Sequence, residues 1–343
     1  MRVLVVNAGS SSLKLSLLDA DDSELWSTEL AAPRAVAEAG AVAAALDDLP
    51  ANPDVAGHRI VHGGDRFREA VVVDDYVEAE LRELTALAPL HQPKSLAALD
   101  AVRRALPNVP EVACFDTAFP ATLPPEAATY ALPRAWRERH GVRRYGFHGL
   151  SHAYAARSAG DARRVVTCHL GAGASLCAVL DGRSVDTTMG FTPLEGLVMA
   201  TRSGSVDPGL LLWLQQQERL GVDEMAEALE HESGLLGLAG TADMRELLQR
   251  QDGDARLALD VYIHRLRAGI AAMVASLGGL DALVFTGGVG EGAARVRELA
   301  CAGLDHLGVG TPAVRVLTVR AREDLEIARQ TRALLVHQRL DHL

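Results

Sequence analysis

One device occurs twice in this chain. Val3-Leu-Val-Val-Asn7-Ala-Gly9-Ser10-Ser11-Ser12-Leu-Lys14-Leu-Ser-Leu-Leu18-Asp19 reads as a strand, a Gly/Ser turn and a second strand ending in Leu-Asp. Val165-Val-Thr-Cys-His169-Leu-Gly171-Ala-Gly173-Ala-Ser175-Leu-Cys-Ala-Val-Leu180-Asp181 reads the same way, with His169 where the first copy has Asn7. A turn of Gly and Ser exposes backbone N–H groups and hydroxyls, with few side chains to keep an anion away. Internal self-similarity reports architecture. Two such turns in two similar halves predict a phosphate chain held between duplicated domains.

The 343 residues predict about two domains. A hydrophobic share of 48% is enough for a sizeable core. No segment approaches the ~18 uncharged apolar residues of a membrane helix. Met1-Arg2-Val3 runs straight into the first strand, so no secretory leader is expected. Cys114, Cys168, Cys177 and Cys301 lie in or beside apolar runs without CxxC spacing, the pattern of buried thiols in a cytoplasmic protein. The net charge of −11 argues against nucleic acid and anionic membranes as partners. An acidic chain that binds an anion must gather its cations locally. Lysine occurs only at Lys14 and Lys94, so the one inside the first Gly/Ser hairpin is a candidate phosphate contact.

Strands and helices alternate along the chain, the pattern of an α/β protein. Gly57–Gly64 is a short strand with a cation inside, ending on Gly63-Gly64. Residues 75–105 look helical, interrupted at Pro89–Pro93. Val112–Thr117 is an apolar strand ending on Asp116, where ligand-facing residues sit in parallel sheets. The strand Ala282–Thr286 opens on Gly287-Gly288-Val289-Gly290-Glu291-Gly292 and a helix. Those glycines could receive a nucleotide phosphate at the helix start, but the full GxGxxG pattern of a dinucleotide site is missing. No GxxxxGK[ST], HExxH or GxSxG occurs. Arg59 and Arg202 lie in apolar or Gly/Ser surroundings, where a desolvated charge needs an anion or an internal ion pair. Asp116 is placed to hold Mg²⁺ or to orient a reacting group.

Eight ordered motifs then carry a specific resemblance. They are Asn7-Ala-Gly-Ser-Ser-Ser-Leu-Lys14, Gly57-His-Arg-Ile-Val-His-Gly-Gly64, Phe115-Asp-Thr-Ala-Phe119, Tyr145-Gly-Phe-His-Gly149, His169-Leu-Gly171, Gly190-Phe-Thr-Pro-Leu-Glu-Gly196, Thr201-Arg-Ser-Gly204 and Ser233-Gly-Leu-Leu-Gly237. Together they resemble the acetate kinase family and span essentially the whole chain. The resemblance implies an α/β fold of the duplicated, two-domain actin-like/ribonuclease H-like ATPase type with an interdomain cleft. The boundaries expected are residues 1–119 with 327–343 for an acyl- and phosphate-binding domain, and 120–326 for a nucleotide-binding domain. It also implies transfer of the ATP γ-phosphoryl group to acetate, giving acetyl phosphate and ADP, with Mg²⁺ or Mn²⁺, in a cytoplasmic homodimer.

The same resemblance assigns roles. Asn7, Ser12 and Lys14 fall at the phosphates and metal, and Glu323 is a metal-linked acid with Asp324 beside it. Arg59 meets the acetate carboxylate, and Asp116 meets Mg²⁺ or the reacting carboxylate. His148 and Arg202 face the transferred phosphoryl, with His169 beside it and the hairpin glycines Gly171 and Gly173 close to the phosphates. Asp243, Arg245, Gly288 and Gly290 contact the nucleoside. Val61, Leu90, Phe147 and Pro193 line a small apolar acyl pocket. These roles suit in-line phosphoryl transfer, which needs donors and cations around three equatorial oxygens rather than an activated nucleophile.

The departures from the family pattern lie mostly on the nucleotide side. Ala172 and Gly292 replace amide side chains, Gln92 stands in a His-Asn-Pro motif, Ser205 replaces an acid, and Arg320-Ala321 replaces Pro-Thr. The stretch from Gly292 to Glu323 is also short. The alternatives left open are a propionate or other short-chain acyl kinase, a donor such as pyrophosphate, and a non-catalytic nucleotide-binding protein of the same fold.

Overall fold

The computed structural model describes residues 1–9, 12–31, 39–89 and 91–340. Ser10, Ser11 and Leu90, three residues quoted above, lie outside that range. The chain divides into two units: Met1–Ala121 with Gly149–Tyr154 and Arg322–Leu343, and Thr122–His148 with Ala155–Ala321.

The first unit is built on a six-stranded sheet. Its strands are β1 (Val3–Ala8), β2 (Ser12–Leu18), β3 (Glu24–Ala31), β4 (Val55–Ile60), β5 (Val71–Val72) and β6 (Glu111–Phe115), in the order β3-β2-β1-β4-β6-β5. The second unit carries β7 (Arg164–Leu170), β8 (Ala174–Leu180), β9 (Arg183–Thr187), β10 (Ala282–Thr286) and β11 (Arg315–Thr318), in the order β11-β10-β7-β8-β9. Each sheet begins as an antiparallel three-strand meander and then adds parallel strands beside the first strand of that meander. The duplication suspected from two hairpins therefore extends to five strands of each sheet; β5, antiparallel to β6, has no counterpart. Asn7 and His169 are each the penultimate residue of their strand. The first turn is the longer, since Ala8 pairs with Leu13 whereas Leu170 pairs with Ala174.

β3 and β9 lie in stretches where the sequence shows no clear strand. β3 is an edge strand that keeps the alternation of a half-buried strand, with Trp26, Thr28 and Leu30 half-buried between exposed neighbours, and buries no residue fully.

Strand periodicity sets the faces of the first sheet. Leu4, Val6, Leu13, Leu15 and Leu17 pack under the helices Ala39–Asp47 and Gln92–Ala105. Val3, Val5, Val55, Val112 and Cys114 pack on the other face with Ile327 and Ala328 of the helix Glu323–Leu340. Gly57 makes that contact possible, because a Cβ there would strike Ile327 and Thr331. In the second unit the helix Gly253–Leu277 packs on β7 and β8, capped by Asp252 at its start and ended by Gly278 at φ 66°.

Cys114, Cys168 and Cys177 are buried and Cys301 partly so; all four are free thiols. Burial pushes the Cys114 and Cys177 thiols up to about 12, which keeps them protonated. No described helix is long and apolar enough to cross a membrane.

Candidate functional site

In the first unit the alternation that buries Val3 and Val5 carries Asn7 onto the same face. Val55, Gly57 and Arg59 follow this rule in β4, as do Val112, Cys114 and Asp116 in and just after β6. Three adjacent strands thus end on a polar residue at one edge of one face. Lys14 pairs in register with Asn7 and so shares that face, where it is exposed, with Ser12 at the start of the same strand. Glu323 is the first residue of the helix that covers the face, which is why a residue so distant in sequence arrives here.

Arg59 donates to Asp116 Oδ2 from Nη2 at 2.7 Å and from Nε at 3.0 Å. Its Nη1 reaches the Ala8 carbonyl at 3.1 Å and Asn7 Oδ1 at 3.4 Å. Asn7 Nδ2 donates to Glu323 Oε2 at 2.9 Å, and that oxygen lies 4.0 Å from Arg59 Nε. Burial works against the Arg59 charge, but Asp116 and Glu323 hold its pKa above the ordinary arginine value. For Asp116, burial is the larger effect and raises the carboxyl pKa, with Glu323 acting in the same direction and Arg59 opposing. Asp116 is 1% exposed, and its Oδ1 is buried without a hydrogen-bond partner. An uncommitted buried carboxylate oxygen, with a second carboxylate close by, is a donor set that a hard divalent cation fits. Asp324 is engaged differently, paired with Arg322 at 2.7 Å. Val61 is buried just after β4.

The second unit assembles another cluster. His148 has φ 56°, in the left-handed region that non-glycine residues rarely occupy, and immediately precedes the helix Gly149–Ser158. Its Nδ1 lies 2.9 Å from Ser175 Oγ. Ser175 pairs in register with His169 across β7 and β8, and the two imidazoles stack at 4.3 Å between centroids. A Cβ on Gly173 would lie 3.3 Å from His148 Nε2 and 3.4 Å from Arg202 Nη1. A Cβ on Gly171 would lie 3.7 Å from His169 Nε2 and 4.0 Å from the Gly288 backbone nitrogen. The second hairpin turn, both histidines, Arg202 and the Gly288 amide therefore converge.

Arg202 donates to the Pro193 carbonyl at 3.3 Å and pairs with Glu230 at 3.3 Å. Burial pulls its pKa below the ordinary arginine value, and Glu230 opposes that. Phe147 is 2% exposed, next to His148 in the chain.

The late glycine motif, Gly287–Gly292, is itself a short helix that follows β10 directly. Gly287 has φ 79° and sits against the Leu170 backbone, which explains that glycine. No protein atom lies within 4 Å of where a Gly288 Cβ would be, so packing does not explain this one. The Gly290 carbonyl accepts Arg297 Nη1 at 2.8 Å. Asp243 caps the helix Met244–Gln249 and pairs with Arg245 at 2.9 Å, while Arg245 is 86% exposed. Sequence reasoning overlooked Ser175 and Glu230. Ser175 lies in the hairpin already singled out, so its register with His169 was available as a signal; Glu230 sits on an ordinary amphipathic helix and gave none.

Two units with one repeated sheet topology, and polar side chains gathered at the ends of parallel strands, define an actin-like kinase fold. A model of the acetokinase family matches residues 35–337. An acetate kinase of Leifsonia xyli subsp. xyli is 46% identical over 390 aligned positions, covering 96% of this chain and 97% of that protein. The alignment is longer than this chain of 343 residues, which therefore lacks internal stretches of its relative. A crystal structure of Porphyromonas gingivalis acetate kinase superimposes with a TM-score of 0.89 at 34% identity, over 97% of this chain and 99% of that one. A propionate kinase from Francisella tularensis gives 0.88 at 32% identity, over 96% and 98%. A ROK hexokinase from Thermus thermophilus shares only the fold, at 0.50 and 15% identity over 98% of this chain and 100% of that one. The chain belongs to the acetokinase family.

Proposed function

We propose that this protein is an acetate kinase that transfers the γ-phosphoryl group of ATP reversibly and in line to acetate, giving acetyl phosphate and ADP. The observation that carries this reading is the Arg59–Asp116 pair. A guanidinium that can receive a carboxylate stands beside a buried carboxylate with one oxygen uncommitted, in a chain of this family.

Arg59 orients the acetate carboxylate; family resemblance alone assigns the methyl group to Val61, Leu90, Phe147 and Pro193, of which Leu90 lies outside the described residues. Asp116 and Glu323, with Asn7, would hold Mg²⁺ or Mn²⁺. Such an ion would supply positive charge that neutralises the phosphates. Arg202 and His148 donate to the equatorial oxygens of the transferred group, and His169 lies beside it. Ser12, Lys14, Gly171 and Gly173 receive the phosphate chain. Asp243, Arg245, Gly288 and Gly290 receive the nucleoside. Because acetate is already ionised near neutral pH, no strong general base is required. We further propose that the protein acts as a cytoplasmic homodimer, without nucleic acid or membrane as a partner.

The second reading is a propionate kinase, favoured by the structural likeness to the Francisella protein. Hydroxamate trapping of acyl phosphate separates the two, run with ATP, GTP and pyrophosphate against acetate, propionate and butyrate. Highest kcat/KM with ATP and acetate is expected. A preference for propionate would move the assignment to the second reading, and no acyl phosphate from any pair would remove both.

A further inference from the structure

A polar bracket in the second unit stands one step behind the groups assigned to phosphoryl transfer. The Tyr130 hydroxyl donates to Glu195 Oε2 and accepts the Phe191 N–H at 2.9 Å. Glu195 Oε1 accepts Arg144 Nη2 at 2.7 Å. Arg144 Nη1 donates to the Thr188 and Met189 carbonyls at 3.2 and 3.1 Å, and its guanidinium lies over the Tyr130 ring, 5.4 Å from the centroid. The Tyr145 and Gly146 N–H groups both donate to the Gly190 carbonyl, at 3.0 and 3.2 Å. A Cβ on Gly190 would collide with the Glu195 carboxylate and the Tyr130 hydroxyl, so glycine at 190 is what lets the bracket close. Burial, and then the bond to Glu195, raise the Tyr130 pKa, which keeps the phenol a donor.

The bracket joins three stretches of chain, with Tyr130 bridging the other two. Arg144-Tyr145-Gly146 continues directly into Phe147 and His148. The stretch 188–196 contains Pro193, whose carbonyl anchors Arg202 Nη1. His148 and Arg202 flank the same point beside Gly173. A slip of one stretch against the other would therefore move the Arg202 anchor away from His148. Arg144 is 17% and Glu195 34% exposed, so water screens part of this pair.

We infer that Glu195, working through Tyr130 and Arg144, is a positioning residue that sets His148, Phe147 and the Arg202 anchor relative to one another. This role rests on the functional reading above. It touches no reacting atom itself, so its loss should alter turnover and acyl use and leave nucleotide affinity alone.

The test compares the parent with Glu195→Gln, Tyr130→Phe and the double variant. We expect kcat to fall by about ten- to a hundredfold, the range that small misplacements of reacting groups produce. The acetate KM should rise, and the ATP KM should stay within about twofold, with thermal midpoints close to the parent's. The double variant should fall no further than the worse single one, because both break one bracket. Glu195→Ala should be worse than Glu195→Gln, which still accepts hydrogen bonds. Parent-like kcat and acetate KM with only a lowered midpoint would overturn the inference, as would equal rises in both KM values. In the same variants the His148 ring resonances, followed by NMR, should shift; unchanged resonances would also overturn it. A parent that forms no acyl phosphate would sink the functional reading, and the resonances would still decide the bracket.

Discussion

Arg59 places two nitrogens on one oxygen of Asp116 and leaves the other oxygen, buried, without a hydrogen-bond partner. The arginine thus fixes the carboxylate without saturating it. Arg59 also reaches Asn7 and the Ala8 carbonyl, so a single guanidinium ties together the ends of β1, β4 and β6.

Arg59→Ala should therefore damage more than acetate use. It leaves Asp116 buried and unpaired, and breaking such a pair costs about 3–5 kcal/mol. Arg59→Lys should recover much of that stability and little of the acetate KM, since a point charge cannot reproduce the planar fork. Thermal midpoints and acetate KM values of the two variants are the measurements. An unchanged acetate KM in Arg59→Lys would remove the assignment of Arg59 to the acyl substrate.

Arg202→Ala should leave the fold and ATP binding largely intact and cut kcat by on the order of 10³–10⁵, the usual effect of losing an arginine at a transferred phosphoryl. Its neighbour Glu230 is 17% exposed, so part of the abandoned charge is met by water. Steady-state turnover alongside ATP binding by calorimetry makes the comparison. A kcat within about tenfold of the parent would mean that Arg202 serves structure alone.

Much of the first cluster was legible from local signals: Asn7 from the repeated hairpin, Arg59 as a cation in apolar surroundings and Asp116 as an acid ending an apolar strand. Strand alternation explains why the three share one face. Glu323 was reached only through family resemblance, since no local pattern shows that a helix begun there will cover the ends of β1 and β4. Of the glycines at 287–292 only Gly287 needs a positive φ, and the others follow a helical path. The Tyr130–Glu195–Arg144 bracket was illegible because its members are far apart in the chain and chemically ordinary.

Chelation should abolish turnover, and Mg²⁺ or Mn²⁺ should restore it. Glu323→Gln should raise the half-saturating Mg²⁺ concentration by about ten- to a hundredfold, the scale seen when a group supporting a metal site is lost. Its amide can still hydrogen-bond Asn7, so the fold should persist. Activity titrated against free Mg²⁺ gives the result, and an unchanged Mg²⁺ requirement would exclude Glu323 from the metal.

His62 gives a pH prediction that needs no substrate. It is fully buried, its Nδ1 accepts the Gly64 N–H at 2.9 Å, and burial pushes its pKa from 6.5 down to about 4, with Asp65 opposing. Between those values the unfolded chain binds a proton that the folded chain refuses. Stability attributable to this residue is therefore complete above about pH 6.5 and falls as the pH drops, by up to about 3 kcal/mol near pH 4. His62→Gln should unfold at lower denaturant near neutrality but lose less on acidification. Equal acid sensitivity of parent and variant would show that His62 is not the group responsible.

Ala172 tests how far the second hairpin keeps the phosphate role assigned to it. Its side chain is exposed, and its carbonyl accepts the Ala200 N–H at 3.1 Å, so the backbone is pinned while the methyl group has room around it. An asparagine there could add a donor beside Gly171 and Gly173 without moving the turn. One donor gained near a phosphoryl group is worth about 1–3 kcal/mol when it acts in the transition state. Ala172→Asn should accordingly raise kcat/KM for ATP by about five- to a hundredfold, with a smaller gain for GTP if the amide also improves base selection. Both nucleotides measured side by side decide the matter. If neither value moves, the turn does not meet the phosphate chain at this position, and the convergence of Gly171, Gly173 and the Gly288 amide must serve packing instead.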